Sequence, residues 1–137
     1  MMALPVSPWV ARFTPLAQSG EALDLACGSG RHTRYLAARG MRVVALDRKA
    51  ELLEALEGEG VTIVQHDLEV EGAVWPFEAG RFSLIVVTNY LHRPLFADIV
   101  RSLAPDGVLV YETFAQGNEL YGKPSNPDFL LAPAELL

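Results

Sequence analysis

The strongest constraint on the fold is an alternation along the chain. Five nearly continuous apolar runs of strand length, ALDLA (22–26), RVVAL (42–46), VTIVQ (61–65), SLIVVT (83–88) and GVLVYET (107–113), are separated by helical patterns. Continuous apolarity, as opposed to every second residue, marks strands covered on both faces. The covers are RHTRYLAARG (31–40), RKAELLEALEG (48–58) and YLHRPLFADIVRSLA (90–104). The first two close on Gly40 and Gly58, as helix C-termini do, and Leu52, Leu53 and Leu56 share a face of the second. In the third, Leu91, Leu95, Ile99 and Leu103 recur at four-residue spacing, with Pro94 early enough to be tolerated in a first turn. Strand, helix and strand in alternation predict an α/β fold, a parallel sheet with right-handed crossovers.

A chain of 137 residues holds one hydrophobic core, so residues 1–137 are expected to form a single domain. Residues 7–19, SPWVARFTPLAQS, predict an N-terminal helix or two broken turns, with Trp9, Val10 and Phe13 packing and Pro15 bending or stopping it. Residues 68–81 carry Gly72, Pro76 and Gly80 without a helical period and read as a loop. From Ala115 the chain turns rich in Gly, Pro and Asn, and it ends where Pro133 and Glu135 suggest the first turn of another helix. That pattern leads us to expect either a naturally short chain or a piece of a longer one.

Charge and composition narrow the function. The formal charge of −6 disfavours broad nucleic-acid binding, which draws its free energy from neutralised phosphates. Arg31, Arg34, Arg39, Arg42 and Arg48 cluster, yet they read first as solvated faces of a helix and a strand end. No apolar run is long enough to span a bilayer and the first ten residues lack the pattern of a signal peptide, so a cytoplasmic location is expected. Cys27 is the single cysteine and reads as a small buried filler, and three scattered histidines give no metal-ligand spacing.

The chemistry concentrates at LDLACGSGR (23–31). In an open parallel sheet, ligands bind beyond the carboxyl ends of the strands. Gly28 and Gly30 let the backbone turn tightly there, and the helix that follows presents free N–H groups. A dinucleotide fingerprint wants a third glycine, where this chain has Thr33, and Asp24 sits close enough to repel a pyrophosphate. Asp47 and Asp67 end the second and third strands, where carboxylates can accept from ribose hydroxyls and from an exocyclic amine. Three acids at three successive strand ends suit a cationic nucleoside.

On these residues the chain resembles the class I S-adenosylmethionine-dependent methyltransferases. LDLACGSGRHTRYLAARG looks like their first motif, VVALD their second-strand acid and QHDLE their third-strand acidic motif; VVTNYLHRPLF and LAPDGVLVYETF follow in the family's order. The tail resembles a tellurite-resistance-type or small-molecule subgroup. The resemblance implies a Rossmann-like sheet in the order 3-2-1-4-5, with helices on both faces and without the family's sixth and seventh strands. It also implies S-adenosylmethionine as cofactor, leaving S-adenosylhomocysteine as product. By position, Asp24, Ala26, Gly28 and Gly30 would line its methionine part, Asp47 would hold the ribose, Arg48 would flank the adenine, and Asp67 and Leu68 would hold and cover it. Asn89 would stand with Tyr90 beside the sulfonium methyl.

The expected reaction is direct methyl transfer to an O, N or S atom of a small molecule, which needs alignment more than acid–base chemistry. Candidate catalytic residues are Asn89, Tyr90, His32 and His92, the histidines as general bases. Asn89-Tyr90 lacks the two prolines by which nucleic-acid amino-methyltransferases hold a flipped base, so a nucleic-acid acceptor is disfavoured. A rival reading is a non-catalytic cofactor-binding module or partner subunit, which could dimerise through an exposed fifth-strand edge. A nicotinamide-binding domain is disfavoured by Thr33 and Asp24.

Overall fold

A computed structural model describes residues 5–58 and 60–137. Its elements, in chain order, are α1 (Pro8–Phe13), β1 (Glu21–Leu25), α2 (Arg31–Ala38), β2 (Arg42–Asp47), α3 (Ala50–Glu54), β3 (Thr62–Gln65), β4 (Phe82–Thr88), α4 (Phe96–Ser102) and β5 (Leu103–Glu112). The five strands form one sheet in the order β3-β2-β1-β4-β5, and every pairing is parallel. This is the Rossmann-like arrangement that the alternation and the resemblance lead one to expect.

Both faces of the sheet are covered, which explains the unbroken apolar runs. One face carries Leu23, Leu25, Val44, Leu46, Ile85 and Val87 against Leu95 and Ile99. The other carries Ala22, Val43, Leu84, Val86 and Val110 against Val10 of α1 and Leu36 of α2. Each leucine or valine so enclosed contributes about 1.5–3 kcal/mol relative to exposure. Below the sheet, a two-pronged hydrogen bond from Arg81 to Glu21, at 3.1 and 3.0 Å, fastens the start of β1 to the start of β4.

The structure sharpens several boundaries. Ser7 caps α1 by accepting from Trp9 N–H and Val10 N–H, and Pro15 turns the helix into a 3₁₀ segment over Thr14–Leu16. The helix expected over 48–58 spans only Ala50–Glu54; Leu53 and Leu56 turn into the core, and Leu52 lines the cleft at the open end of the sheet. The pattern over 90–104 divides into a 3₁₀ turn at Arg93–Leu95, started by Pro94, then α4, then the beginning of β5. Leu91, Leu95 and Ile99 are nonetheless buried as their spacing predicts, and Leu103 belongs to the strand. Residues 68–81 contain no helix; Trp75 Nε1–H donates to Ser102 Oγ at 2.7 Å and so ties this loop to α4.

The expected helix start at Pro133 is not found. Ala134 lies in the left-handed region at φ 61°, and Glu135 turns back to accept from Ala132 N–H at 2.8 Å and from Arg93. The left-handed residue at Ala134 interrupts the run of helical backbone that the sequence pattern suggests.

Gly30 shows why the loop after β1 needs its second glycine. It caps α2 at φ 86°, and a Cβ there would stand 2.5 Å from Leu56 Cδ2. Gly30→Ala is therefore expected to lower stability by about 2 kcal/mol, through backbone strain and overpacking together, read as a fall in the urea unfolding midpoint with an unchanged m-value.

Candidate functional site

At the carboxyl ends of the strands lies a cleft of about 580 Å³. Four strands contribute at or just after their ends: Ala26 and Gly28 after β1, Asp47 as the last residue of β2 with Arg48 after it, Asp67 and Leu68 after β3, Asn89 and Tyr90 after β4. Eight residues singled out from the sequence thus meet in one cavity. Asp24, Gly30, His32 and His92 are not among the residues that line it.

Two of the lining residues hold unusual backbone. Ala26 at φ 57° and Asn89 at φ 56° are non-glycine residues in the left-handed region, at the ends of the adjacent strands β1 and β4. Such a residue costs about 1–2 kcal/mol and persists only when its surroundings impose it. Here Asn89 N–H donates to the Glu112 carbonyl at 2.8 Å and Cys27 N–H to the Leu46 carbonyl at 2.9 Å, so each sharp turn is fastened to a neighbouring strand. Both turns aim backbone into the cleft. Gly28, at φ 57°, is open on the side where a Cβ would project, with no atom within 4 Å.

Asp47 is held from behind. Its Oδ2 accepts from Gly28 N–H at 3.0 Å and its Oδ1 from Lys49 N–H at 3.0 Å. Each carboxylate oxygen keeps a further lone pair for a ligand. Asp67 is similarly oriented by Glu69 N–H at 3.0 Å. Leu25, Leu46, Leu68 and Leu91 add apolar surface between these polar groups. An oriented carboxylate pair, apolar walls and a space that a Cβ would fill together fit a nucleoside, and the acids Asp47, Asp67 and Glu69 beside Arg48 and Lys49 suit one that carries positive charge.

Asp24 works one layer below. It is 1% exposed, and its Oδ2 accepts from Thr33 Oγ1 at 2.7 Å. Burial pushes its pKa up to about 7, with the Thr33 hydrogen bonds opposing and the Asp47 charge adding to the rise. The threonine that breaks the dinucleotide pattern is thus the partner of the strand acid. Cys27 is buried and its thiol is pushed up to about 12 by burial, then by the charges of Asp24 and Asp47, which leaves it protonated and unreactive.

His32 is also enclosed, at 2% exposure. Ser7 N–H donates to its Nε2 at 3.1 Å, so the remaining proton sits on Nδ1, which lies 3.3 Å from Thr88 Oγ1. Burial, with the Arg31 charge, lowers its pKa to about 4. Glu112 takes a hydrogen bond from Ser7 Oγ at 2.6 Å, so the carboxylate at the end of β5 braces α1. His92 stands outside, with Nδ1 3.5 Å from Glu69.

Sequence reading missed Glu69, Leu52, Phe114 and the tail residues Pro124 and Phe129 as lining groups. Glu69 accepts from Tyr90 Oη–H at 3.1 Å. Its signal was present in QHDLE, two residues beyond the acid already noted. Tyr111 Oη–H donates to the Tyr90 carbonyl at 2.6 Å and so fixes the turn that carries Tyr90; burial raises the pKa of both phenols.

Comparisons with known proteins agree with this fold. The methyltransferase-domain family model matches residues 22–107. The malonyl-[acyl-carrier protein] O-methyltransferase of Salmonella typhimurium is 28% identical over 110 residues, which are 74% of this chain and 41% of that protein. A TehB-like SAM-dependent methyltransferase from Corynebacterium glutamicum has a TM-score of 0.64 at 28% identity, covering 80% of this chain and 62% of that one. An S-adenosylmethionine-dependent methyltransferase from Mesorhizobium loti shares the fold at TM-score 0.67 and 23% identity, covering 79% and 53%. The chain spans 45% and 41% of the length of two curated relatives it matches, so it is similar to about half of each. No helix among the described residues is long and apolar enough to cross a membrane.

The raised Asp24 pKa has a pH signature. An acid whose pKa is higher folded than unfolded contributes stability that is present below the unfolded value and is lost as pH rises through the folded one. From pH 5 to pH 8 the thermal midpoint of the wild-type chain is expected to fall relative to that of Asp24→Asn, measured by scanning calorimetry in matched buffers.

Proposed function

The chain belongs to the class I S-adenosylmethionine-dependent methyltransferase family, and we propose that it moves the methyl group of S-adenosylmethionine to an O, N or S atom of a small molecule. The observation that carries this reading is the Asp47 carboxylate, fixed from behind by two backbone N–H groups and open toward the cleft beside Gly28. In this reading Asp47 holds the ribose hydroxyls, Asp67 and Leu68 hold and cover the adenine with Arg48 flanking it, and Ala26 and Gly28 cradle the methionine part. Asp24 and Gly30 serve that cradle from beneath, one through Thr33 and the other through Leu56.

When bound, the cofactor supplies an activated methyl group on a sulfonium that leaves readily. What remains for the protein is to align the acceptor, keep water out and hold the cofactor's charge. Asn89 presents backbone from its left-handed turn at that end of the cleft, and Tyr90 closes the wall beside it. His32 stays outside the catalytic set in this reading, since both its ring nitrogens have partners and it remains neutral at physiological pH. Residues 1–137 act as one cofactor-binding methyltransferase domain.

Calorimetric titration with S-adenosylmethionine, S-adenosylhomocysteine and NAD tests this reading. Binding of the first two and not the third is expected. Asp47→Ala should weaken both by roughly ten- to hundred-fold, the effect of losing one or two hydrogen bonds to a charged group. Equal binding of NAD, or indifference to Asp47→Ala, would overturn it.

A further inference from the structure

The tail after β5 is fastened over the cleft mouth, and one side chain does most of the fastening. Arg93, in the 3₁₀ turn that follows the cleft residues Tyr90 and Leu91, donates to the Asp128 carbonyl at 2.9 Å and to the Leu130 carbonyl at 2.8 Å. It also makes a two-pronged contact with the Glu135 carboxylate at 2.5 and 3.0 Å. Three points of the tail are thereby tied to the end of β4. Between them, Leu130 is 2% exposed, and Leu131 N–H donates to the Phe114 carbonyl at 3.0 Å while Gln116 N–H donates to the Leu131 carbonyl at 2.8 Å. The doubled-back chain brings Phe129 into the lining of the cleft that Phe114 also lines, and the two residues remain 48% and 38% exposed.

The charges lining the cleft are unevenly placed. Among the described lining residues, the fixed cations Arg48 and Lys49 follow β2, toward the far edge of the sheet from β5. Glu69 follows β3 but is tied to the β4 side of the cleft, where Tyr90 Oη–H donates to it at 3.1 Å, and the Arg93 guanidinium is already engaged by carbonyls and Glu135. An anion entering beside Phe114 and Phe129 meets a carboxylate and apolar rings, whereas an uncharged planar or alkyl group meets complementary surface.

We propose that Arg93 is a positioning residue for the methyl acceptor, holding Phe129 beside Phe114 as an apolar wall that takes an uncharged aromatic or alkyl molecule in preference to an anionic one. This rests on the methyl-transfer reading for the identity of the bound molecule, but the wall itself is tested separately. Binding of 2-naphthol and of 2-naphthoate is followed by ligand-observed NMR with and without S-adenosylhomocysteine, on the wild-type chain and on Arg93→Gln, Arg93→Lys and Phe129→Ala. The wild-type chain should bind 2-naphthol at least about five-fold more tightly than 2-naphthoate. Arg93→Gln and Phe129→Ala should each weaken 2-naphthol by roughly five-fold or more, and by more than they weaken S-adenosylhomocysteine. Arg93→Lys should recover only part of the loss, because a single ammonium cannot span two carbonyls and a carboxylate.

Equal binding of the two naphthalenes, or 2-naphthol binding indifferent to both Arg93→Gln and Phe129→Ala, would overturn the proposal. If Arg93→Gln does not fold, Phe129→Ala decides, since its ring is half exposed and its loss leaves the core intact. Failure to bind S-adenosylhomocysteine, with 2-naphthol still bound and still sensitive to Phe129→Ala, would overturn the cofactor reading and leave the wall standing.

Discussion

Everything at the cleft depends on one buried contact, the hydrogen bond between Asp24 on β1 and Thr33 in the first turn of α2. It spans the glycine loop and fixes the distance between the strand end and the helix start. Neither group is exposed, so an unmatched partner would leave a polar atom in the core at a cost of about 1–3 kcal/mol or more. With the two ends of the loop set, Ala26 and Gly28 have little choice but the left-handed turns they adopt, and Gly28 N–H meets Asp47. A contact buried beneath the cleft thus holds the glycine loop between the strand end and the helix start.

The same arrangement shows how a cofactor site can be distributed through a sequence and still be rigid. Its parts come from the ends of separate strands, and each part is secured to a neighbour by main-chain bonds: Cys27 to Leu46, His66 to Asp47, Asn89 to Glu112. The parallel ladder supplies the alignment, so that one registration of the sheet positions all the loops at once. Little of this rests on flexible side chains. That suits a reaction in which placement contributes more than proton transfer.

Much of the fold was legible in the sequence because its signals are local and redundant. The five apolar runs marked the strands, with β1, β2 and β4 covered on both faces, and acids at the ends of three of them pointed to one side of the sheet. What could not be read depended on long-range partners. Leu52 looked like a core residue with Leu53 and Leu56, yet it lines the cleft while the other two enter the core. Asp24 and Gly30 were expected among the cleft residues, but Asp24 is buried against Thr33, nine positions further along, and Gly30 lies against Leu56, 26 positions further along. Arg93 beside a proline reads as an ordinary surface charge until residues 128–135 return to meet it. The apparent helix start at Pro133 is a local pattern too, and the left-handed turn at Ala134 that interrupts it has no signal in the sequence.

The brace between Ser7 and Glu112 has a bearing on how the molecule comes apart. Among the described residues, β5 pairs only with β4, and a strand with one neighbour is ordinarily the first to fray. Here its final residue is gripped from the opposite end of the chain, through the hydroxyl that also caps α1 and beside the amide that reaches His32. Peeling that strand end away therefore uncaps the first helix and strips a buried imidazole of its donor. The outermost strand and the N-terminal helix are bound into one cooperative unit, so the sheet loses its margin only when it loses its lid of helices as well.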